Sequence, residues 1–125
     1  MPGALILIVE DNPRNLKLIR DVLQFQGYIT LEAETGEAGV TLALEHQPAL
    51  ILMDVQLPGI DGSMAMQVLK ADASTRHIPI IAMTALAMKG DKERLLAEGF
   101  DGYMSKPIAI KEIPKIVEQY LHGQL

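Results

Sequence analysis

The chain of 125 residues contains no cysteine and 4% aromatic residues, and its formal net charge is −5. A chain of this length forms one ordinary domain with its own core, and the lack of cysteine excludes disulfides and thiolate zinc sites. The basic residues are scattered, which argues against a nucleic-acid-binding stripe. No apolar stretch approaches the roughly 20 residues of a membrane span, and the first residues lack the basic flank of a signal peptide. We therefore expect a single cytoplasmic domain over residues 1–125, without membrane insertion.

Five short apolar runs, the predicted strands, alternate with amphipathic stretches along the chain. They cover residues 4–9, 28–33, 49–53, 78–83 and a short segment around 103–104. The first, third and fourth runs are almost continuously apolar, which is typical of strands buried on both faces of a parallel sheet. The second run alternates between apolar and polar residues and is predicted to lie at an edge of the sheet.

Helical patterns follow the predicted strands. Asn12 is predicted to cap the first helix, Pro13 to occupy its first position and Gly27 to end it. Thr35 precedes the second helix, and Pro114 is expected in the first turn of the last helix. The apolar residues that mark the five helices are Leu16, Leu18, Ile19, Val22, Leu23 and Phe25; Val40, Ala43 and Leu44; Met64, Val68 and Leu69; Leu95 and Leu96; and Ile110, Ile113, Ile116, Val117, Tyr120 and Leu121.

The regular alternation of strands and helices predicts an α/β fold. Strand–helix–strand units of this length form parallel sheets with helices on both faces and right-handed crossovers. Five strands favour the flavodoxin-like order 2-1-3-4-5 over the six-stranded order 3-2-1-4-5-6. We therefore predict a three-layer sandwich around a five-stranded parallel sheet.

Polar residues with complementary chemistry follow four of the predicted strands. The first strand is followed by Glu10 and Asp11, the third by Asp54, the fourth by Thr84 and the fifth by Lys106. Ligands of such sheets bind beyond the carboxyl ends of the strands, where these side chains are expected to meet. Three carboxylates there would repel one another unless a divalent cation joined them, and an all-oxygen donor set without cysteine or nearby histidine suits Mg²⁺. With an ammonium and a hydroxyl, the group indicates phosphoryl transfer through an aspartyl phosphate.

Other interpretations of these residues receive less support. A hydrolase of the haloacid-dehalogenase type places a second aspartate two residues after its nucleophile, where this chain has Gln56. A flavin or nucleotide carrier uses a phosphate-cradling loop after the first strand, where Glu10 and Asp11 would repel phosphate. Each polar residue taken singly is more often a helix cap or a solvated surface residue. The combination of four strand ends favours the phosphoryl-transfer interpretation.

Four segments carry a specific pattern: IVEDN at 8–12, LMDVQLPGIDG at 52–62, TA at 84–85 and YMSKP at 103–107. Together they resemble, over the whole chain, the receiver domain of two-component response regulators. The resemblance implies that Asp54 is the phosphoacceptor. It also implies that Mg²⁺ is held by Glu10, Asp11 and Asp54 and by the backbone carbonyl of Gln56.

The resemblance assigns further roles near the phosphoacceptor. Lys106 pairs with the phosphoryl group, and its peptide bond to Pro107 is expected to be cis. Thr84 donates to the phosphoryl group, and Thr84 and Tyr103 form the switch pair. Apart from the resemblance, Gln56 and Leu86 follow Asp54 and Thr84 by two positions and are expected to overhang the approach of water. Leu86 is apolar and cannot orient water, so we expect dephosphorylation to be slow.

The implied function is that of a stand-alone receiver without an output domain. It takes a phosphoryl group from phosphohistidine on a histidine kinase or phosphotransfer protein, and catalyses only its own phosphorylation and dephosphorylation. A downstream protein would bind the face formed by the fourth helix, fifth strand and fifth helix, and we expect a monomer. Residues 12–15 and 83–91 are most similar to DivK-type cell-cycle regulators, while chemotaxis regulators are another stand-alone class. A receiver that serves only for docking is the remaining alternative.

Overall fold

The computed structural model of the protein describes residues 3–85 and 90–122, without the side chain of His122. Strands and helices alternate along the chain: β1 (Leu5–Val9), α1 (Pro13–Phe25), β2 (Ile29–Ala33), α2 (Gly36–His46), β3 (Leu50–Asp54), α3 (Gly62–Ala71), β4 (Ile80–Thr84), α4 (Asp91–Glu98), β5 (Gly102–Ser105) and α5 (Glu112–His122). The strands form one parallel sheet in the order β2-β1-β3-β4-β5. The predicted fold class, strand order and edge position of the second strand are confirmed.

The register of the sheet brings the carboxyl ends of its strands to one edge. Val9, the last residue of β1, lies opposite Ala33 on β2 and Met53 on β3. At the other side of β3, Asp54 lies opposite Met83 on β4. The residues that directly follow β1 and end β3 are therefore neighbours, as the predicted site requires.

Two hydrophobic clusters, one on each face of the sheet, form the core. Helices α1 and α5 cover the face that carries Ile8 and Leu52, whereas α2, α3 and α4 cover the face that carries Val9 and Met53. Successive residues of a strand point to opposite faces, so a strand between two helix layers must be apolar throughout. Every residue of β3 and β4 is buried, which explains the uninterrupted apolar runs.

The helix boundaries follow the capping signals in the sequence. The Asn12 side chain accepts hydrogen bonds from the backbone N–H groups of Arg14 and Asn15 at the start of α1. Thr35 caps α2 in the same way, and Pro114 lies in the first turn of α5. Gly27, just beyond α1, has a φ of +93°, which suits glycine. The predicted starts and the predicted end are confirmed.

Several apolar residues that mark the predicted helices are exposed rather than buried. Met64 and Val68 of α3 are about half exposed, and the buried side chains of this helix are Ala65, Met66 and Leu69. Helix α3 carries two apolar stripes, and periodicity alone does not tell which one meets the sheet. The other apolar residues predicted for these stripes but exposed at the surface are Phe25, Leu44, Leu96 and Ile110, the last of which precedes α5.

Candidate functional site

Two carboxylates are buried at the carboxyl edge of the sheet. Glu10 directly follows β1, and its backbone N–H donates to the carbonyl of Ala33 across 2.9 Å. Asp54 is the last residue of β3, and one of its oxygens, Oδ1, accepts a 3.0 Å hydrogen bond from the N–H of Gln56. Both side chains are almost fully buried. Fixed strand ends therefore hold both groups, rather than mobile loops.

Lys106 joins the two carboxylates. Its Nζ atom lies 2.8 Å from Asp54 Oδ2 and 2.9 Å from Glu10 Oε1. The lysine follows β5, and its backbone N–H donates to the carbonyl of Thr84 across 2.7 Å. The bond between Lys106 and Pro107 is cis, as the family resemblance implies. One ammonium thus serves two buried carboxylates, so this group keeps a net negative charge when both acids are ionised.

The crowding of these charges alters their pKa values. Burial, and then contact with Asp54, raise the pKa of Glu10 from 4.5 to about 7, although the nearby Lys106 ammonium opposes the rise. Burial acts against the charge of Lys106, but its contacts with Asp54 and Glu10 prevail and raise the lysine's pKa. Lys106 therefore stays protonated at neutral pH, while Glu10 titrates close to neutrality.

The acidic group fits a hard divalent cation. Glu10, Asp11 and Asp54 each offer one carboxylate oxygen, and these three oxygens lie within 4.8 Å of one another. Within the described part of the chain, no donor is aligned for a hydrogen bond to the buried Oε1 atom of Glu10. The negative charge on this oxygen is balanced by the nearby Lys106 ammonium. Asp11 is exposed, so solvent reaches the group. Mg²⁺ prefers a site with few protein oxygens and with access for the water molecules that complete its coordination.

The other predicted site residues lie at the same edge. Gln56 is exposed two residues beyond Asp54. Thr84 ends β4 and is almost fully buried, and the cap position of α4 is occupied by Gly90. Tyr103 of β5 lies opposite Ala82, and Thr84 follows Ala82 by two residues, so Thr84 and Tyr103 share one face of the sheet. Leu86 and its expected shielding role lie outside the described residues.

Methionines near the predicted switch face belong to the core. Met83 and Met104 pack in the cluster covered by α1 and α5, on the opposite face of the sheet from Thr84. These two methionines therefore fill the core. Met88 lies outside the described residues.

Helix α1 carries three basic residues at three-residue spacing, Arg14, Lys17 and Arg20, and most of their charge is neutralised. Lys17 pairs with Asp21 across 2.8 Å, and Arg20 pairs with Glu32 across 3.1 Å. Among these three residues, only Arg14 has no ion pair within residues 3–85 and 90–122. A partner that docks here would meet a mixed surface.

Two residues, Asn12 and Gly62, contact the acidic residues of the site in a way that the sequence did not indicate. The backbone N–H of Asn12 donates to Glu10 Oε2 across 3.2 Å. Gly62 packs so tightly that a Cβ atom would meet the Asp54 carbonyl oxygen and lie 2.8 Å from the Val55 Cα. The sequence signals a helix cap at Asn12 and a turn at Gly62, but neither signal reveals a contact with an acidic residue.

Comparison with known proteins identifies the family to which the chain belongs. The model of the response regulator receiver domain matches residues 6–118. The chain belongs to the response regulator receiver family. It is 47% identical over 121 residues to the polar-differentiation response regulator DivK of Brucella anthropi, covering 97% of this chain and 98% of that relative. The expected similarity to DivK-type regulators is confirmed.

Solved receiver domains share the fold. The receiver domain of a Pseudomonas aeruginosa sensor histidine kinase has 37% identity and a TM-score of 0.89, covering 96% of this chain and 98% of that one. That structure has a magnesium ion coordinated in its active-site cleft. A receiver domain of a histidine kinase from Syntrophus aciditrophicus has 32% identity and a TM-score of 0.88, covering 97% and 92%. Within the described residues, no helix has the length and apolar character that crossing a membrane requires.

Proposed function

We propose that this receiver accepts a phosphoryl group on Asp54 from phosphohistidine of a histidine kinase or histidine phosphotransfer protein. The observation that carries the proposal is the placement of Asp54 beside Lys106 Nζ, at 2.8 Å, within the group of three carboxylate oxygens. A nucleophile, a cation that can balance phosphoryl charge and a metal-compatible donor set share one solvent-accessible edge. The backbone of β3 holds the nucleophile, which favours a defined direction of attack.

In the proposed reaction, a carboxylate oxygen of Asp54 attacks the phosphorus atom in line with the bond to the donor imidazole. The P–N bond breaks, a P–O bond forms, and the departing imidazole nitrogen keeps the electron pair and is protonated. Asp54 Oδ1 accepts from the Gln56 N–H, and this hydrogen bond fixes the plane of the carboxylate during the attack. Later attack of water on the acyl phosphate returns the free carboxylate and inorganic phosphate.

The remaining residues would stabilise the transferred group. Glu10, Asp11, Asp54 and the backbone carbonyl of Gln56 would hold Mg²⁺, which would supply positive charge to balance the phosphoryl oxygens. Lys106 starts between Glu10 and Asp54, so a short movement of its Nζ atom brings it to a phosphoryl oxygen on Asp54. Its raised pKa keeps the ammonium charged for this contact.

The signal would leave through the packing of neighbouring strands. In this proposal, the hydroxyl of Thr84 donates to a phosphoryl oxygen, and Tyr103, half-buried on the same face, rotates into the space that Thr84 leaves. This repacks the face formed by α4, β5 and α5, where a downstream protein would bind. Such a switch needs only two packings that differ by a few kcal/mol, which one new charge can bias.

The biological setting is proposed from the relatives. The DivK proteins of Brucella match along nearly their whole length and are named polar-differentiation response regulators, which supports a role in cell-cycle or developmental control. We further propose that the receiver acts alone, as a cytoplasmic monomer. The protein would process only its own phosphoryl group rather than turn over a substrate. Complementation of a Brucella strain that lacks DivK tests this setting, because the wild-type chain should restore polar differentiation and the Asp54→Asn variant should not. Failure of both chains would contradict the proposed setting.

The phosphoacceptor role is tested with phosphoramidate, a small P–N donor, and intact-protein mass spectrometry. We expect one added phosphoryl group in the presence of Mg²⁺ and none with a chelator or in Asp54→Asn. Asp101→Asn is the matched control, because Asp101 forms a 2.8 Å ion pair with Lys70 away from the site and should be phosphorylated normally. Absence of phosphorylation in the wild type would favour a docking-only receiver.

A further inference from the structure

Asn12 links the start of α1 to the acidic group. Its side-chain Oδ1 accepts from the N–H of Arg14 across 2.9 Å and from the N–H of Asn15 across 3.2 Å. Its own backbone N–H donates to Glu10 Oε2 across 3.2 Å. The Asn12 side chain therefore accepts from backbone N–H groups at the start of α1 that have no partner within the helix. Its own backbone N–H holds Glu10, one of the three carboxylates of the candidate metal site.

The two oxygens of Glu10 have different partners. Oε1 faces Lys106 Nζ, a charged group at the end of a flexible side chain, whereas Oε2 accepts from the Asn12 main chain. When Lys106 turns toward a phosphoryl group in the proposed reaction, the Asn12 hydrogen bond is the one that remains. The direction of the Asn12 N–H depends on the extended backbone of this residue, with φ −84° and ψ 117°. The side-chain cap stabilises this conformation, because a capping residue must leave the helical region.

We propose that Asn12 is a positioning residue for the metal site: by capping α1 it fixes the backbone N–H that aims Glu10 at the cation. The inference rests on the proposed function for the presence of Mg²⁺, but the contact itself is made by the protein chain alone. Loss of the cap would let residue 12 adopt other backbone angles, so Glu10 would spend less time in the binding orientation. A merely structural cap would stabilise α1 and leave metal affinity unchanged.

The test compares three single variants by calorimetric titration with Mg²⁺. Asn12→Ala removes the cap but keeps the backbone N–H, so it should weaken Mg²⁺ binding several-fold, which is less than the loss expected when a hydrogen-bond partner of a metal ligand is removed outright. Asn12→Ser keeps a good capping side chain and should restore the affinity to within about twofold. Thr35→Ala removes the cap of α2, whose hydrogen bond goes to Ala38 of its own helix, and should leave the affinity unchanged.

A second readout needs no metal. The amide hydrogen at position 12, observed by NMR in the presence of a chelator, should exchange with solvent several-fold faster in Asn12→Ala than in the wild type and in Asn12→Ser. Equal affinity for Mg²⁺ in Asn12→Ala and the wild type, or an equal loss in Thr35→Ala, would overturn the positioning role. If the wild type itself binds no Mg²⁺, the proposed function fails, and unchanged amide exchange would separately overturn the role of Asn12.

Discussion

The raised pKa of Glu10 makes metal-free stability depend on pH in an unusual direction. The folded protein holds this carboxyl with a pKa of about 7, against 4.5 for the ordinary group. Between these values the folded state binds more protons than the unfolded state, so stability is full below pH 4.5 and is lost as the pH rises through 7. At about 1.4 kcal/mol per pKa unit, the free energy of unfolding should fall by about 3 kcal/mol.

Urea unfolding followed by circular dichroism, with a chelator present, measures this change between pH 5 and pH 8. The chain has no tryptophan, so circular dichroism is preferable to fluorescence. Glu10→Gln removes the titrating group at nearly constant shape and should abolish most of the pH dependence. At pH 8 this variant should be more stable than the wild type, because it lacks the unbalanced buried charge.

Mg²⁺ should reverse the trend. A proton on Glu10 competes with the cation, so the apparent affinity should rise about tenfold per pH unit up to pH 7 and then level off. Stabilisation by a fixed Mg²⁺ concentration should therefore increase over the range in which the metal-free protein weakens. Identical pH profiles for the wild type and Glu10→Gln without metal, or a pH-independent Mg²⁺ affinity between pH 5.5 and 7, would refute the reasoning.

Three further substitutions test the packing and charges of the site and of the core. Lys106→Met leaves two buried carboxylates without their ammonium. With a chelator present, urea unfolding at pH 8 should show a free energy of unfolding lower by about 2 kcal/mol. In a timed phosphoramidate assay, phosphorylation should be about a hundredfold slower. Gly62→Ala forces a Cβ atom against the Asp54 backbone, so the free energy of unfolding in urea should fall by about 1–3 kcal/mol and the phosphorylation rate should also fall. An unchanged rate would mean that Asp54 still reacts normally when its backbone is displaced. Thr75→Val removes the buried 2.6 Å hydrogen bond to the Leu69 carbonyl and should cost about 1 kcal/mol in the same unfolding assay, with phosphorylation unaffected.

The sheet could be predicted from the sequence because its determinants are local and redundant. Apolar runs of strand length, such as the one ending at Met53, mark strands buried on both faces, and signals such as Asn12-Pro13 mark helix starts. The buried face of α3 could not be predicted, because Met64 and Val68 form an apolar stripe as regular as that of Met66 and Leu69. Only the packing of α3 against the sheet and α2 decides between the two stripes.

The meeting of Glu10, Asp54 and Lys106 could be predicted from topology, since parallel strands bring their carboxyl ends to one edge. The electrostatics of the site could not. The pKa of Glu10 depends on how completely it is buried and on how Lys106 divides its contacts, and both are three-dimensional properties. For the same reason, the contact from the Asn12 main chain to Glu10 is absent from any side-chain pattern.

The most direct test of the central claim locates the phosphoryl group. After reaction with phosphoramidate and Mg²⁺, borohydride reduction converts an aspartyl phosphate to homoserine, and peptide mass spectrometry identifies the modified position. Asp54 as the phosphoacceptor requires one homoserine, at position 54, in the wild type and none in Asp54→Asn. Homoserine at position 11, or equal labelling of the two proteins, would contradict it.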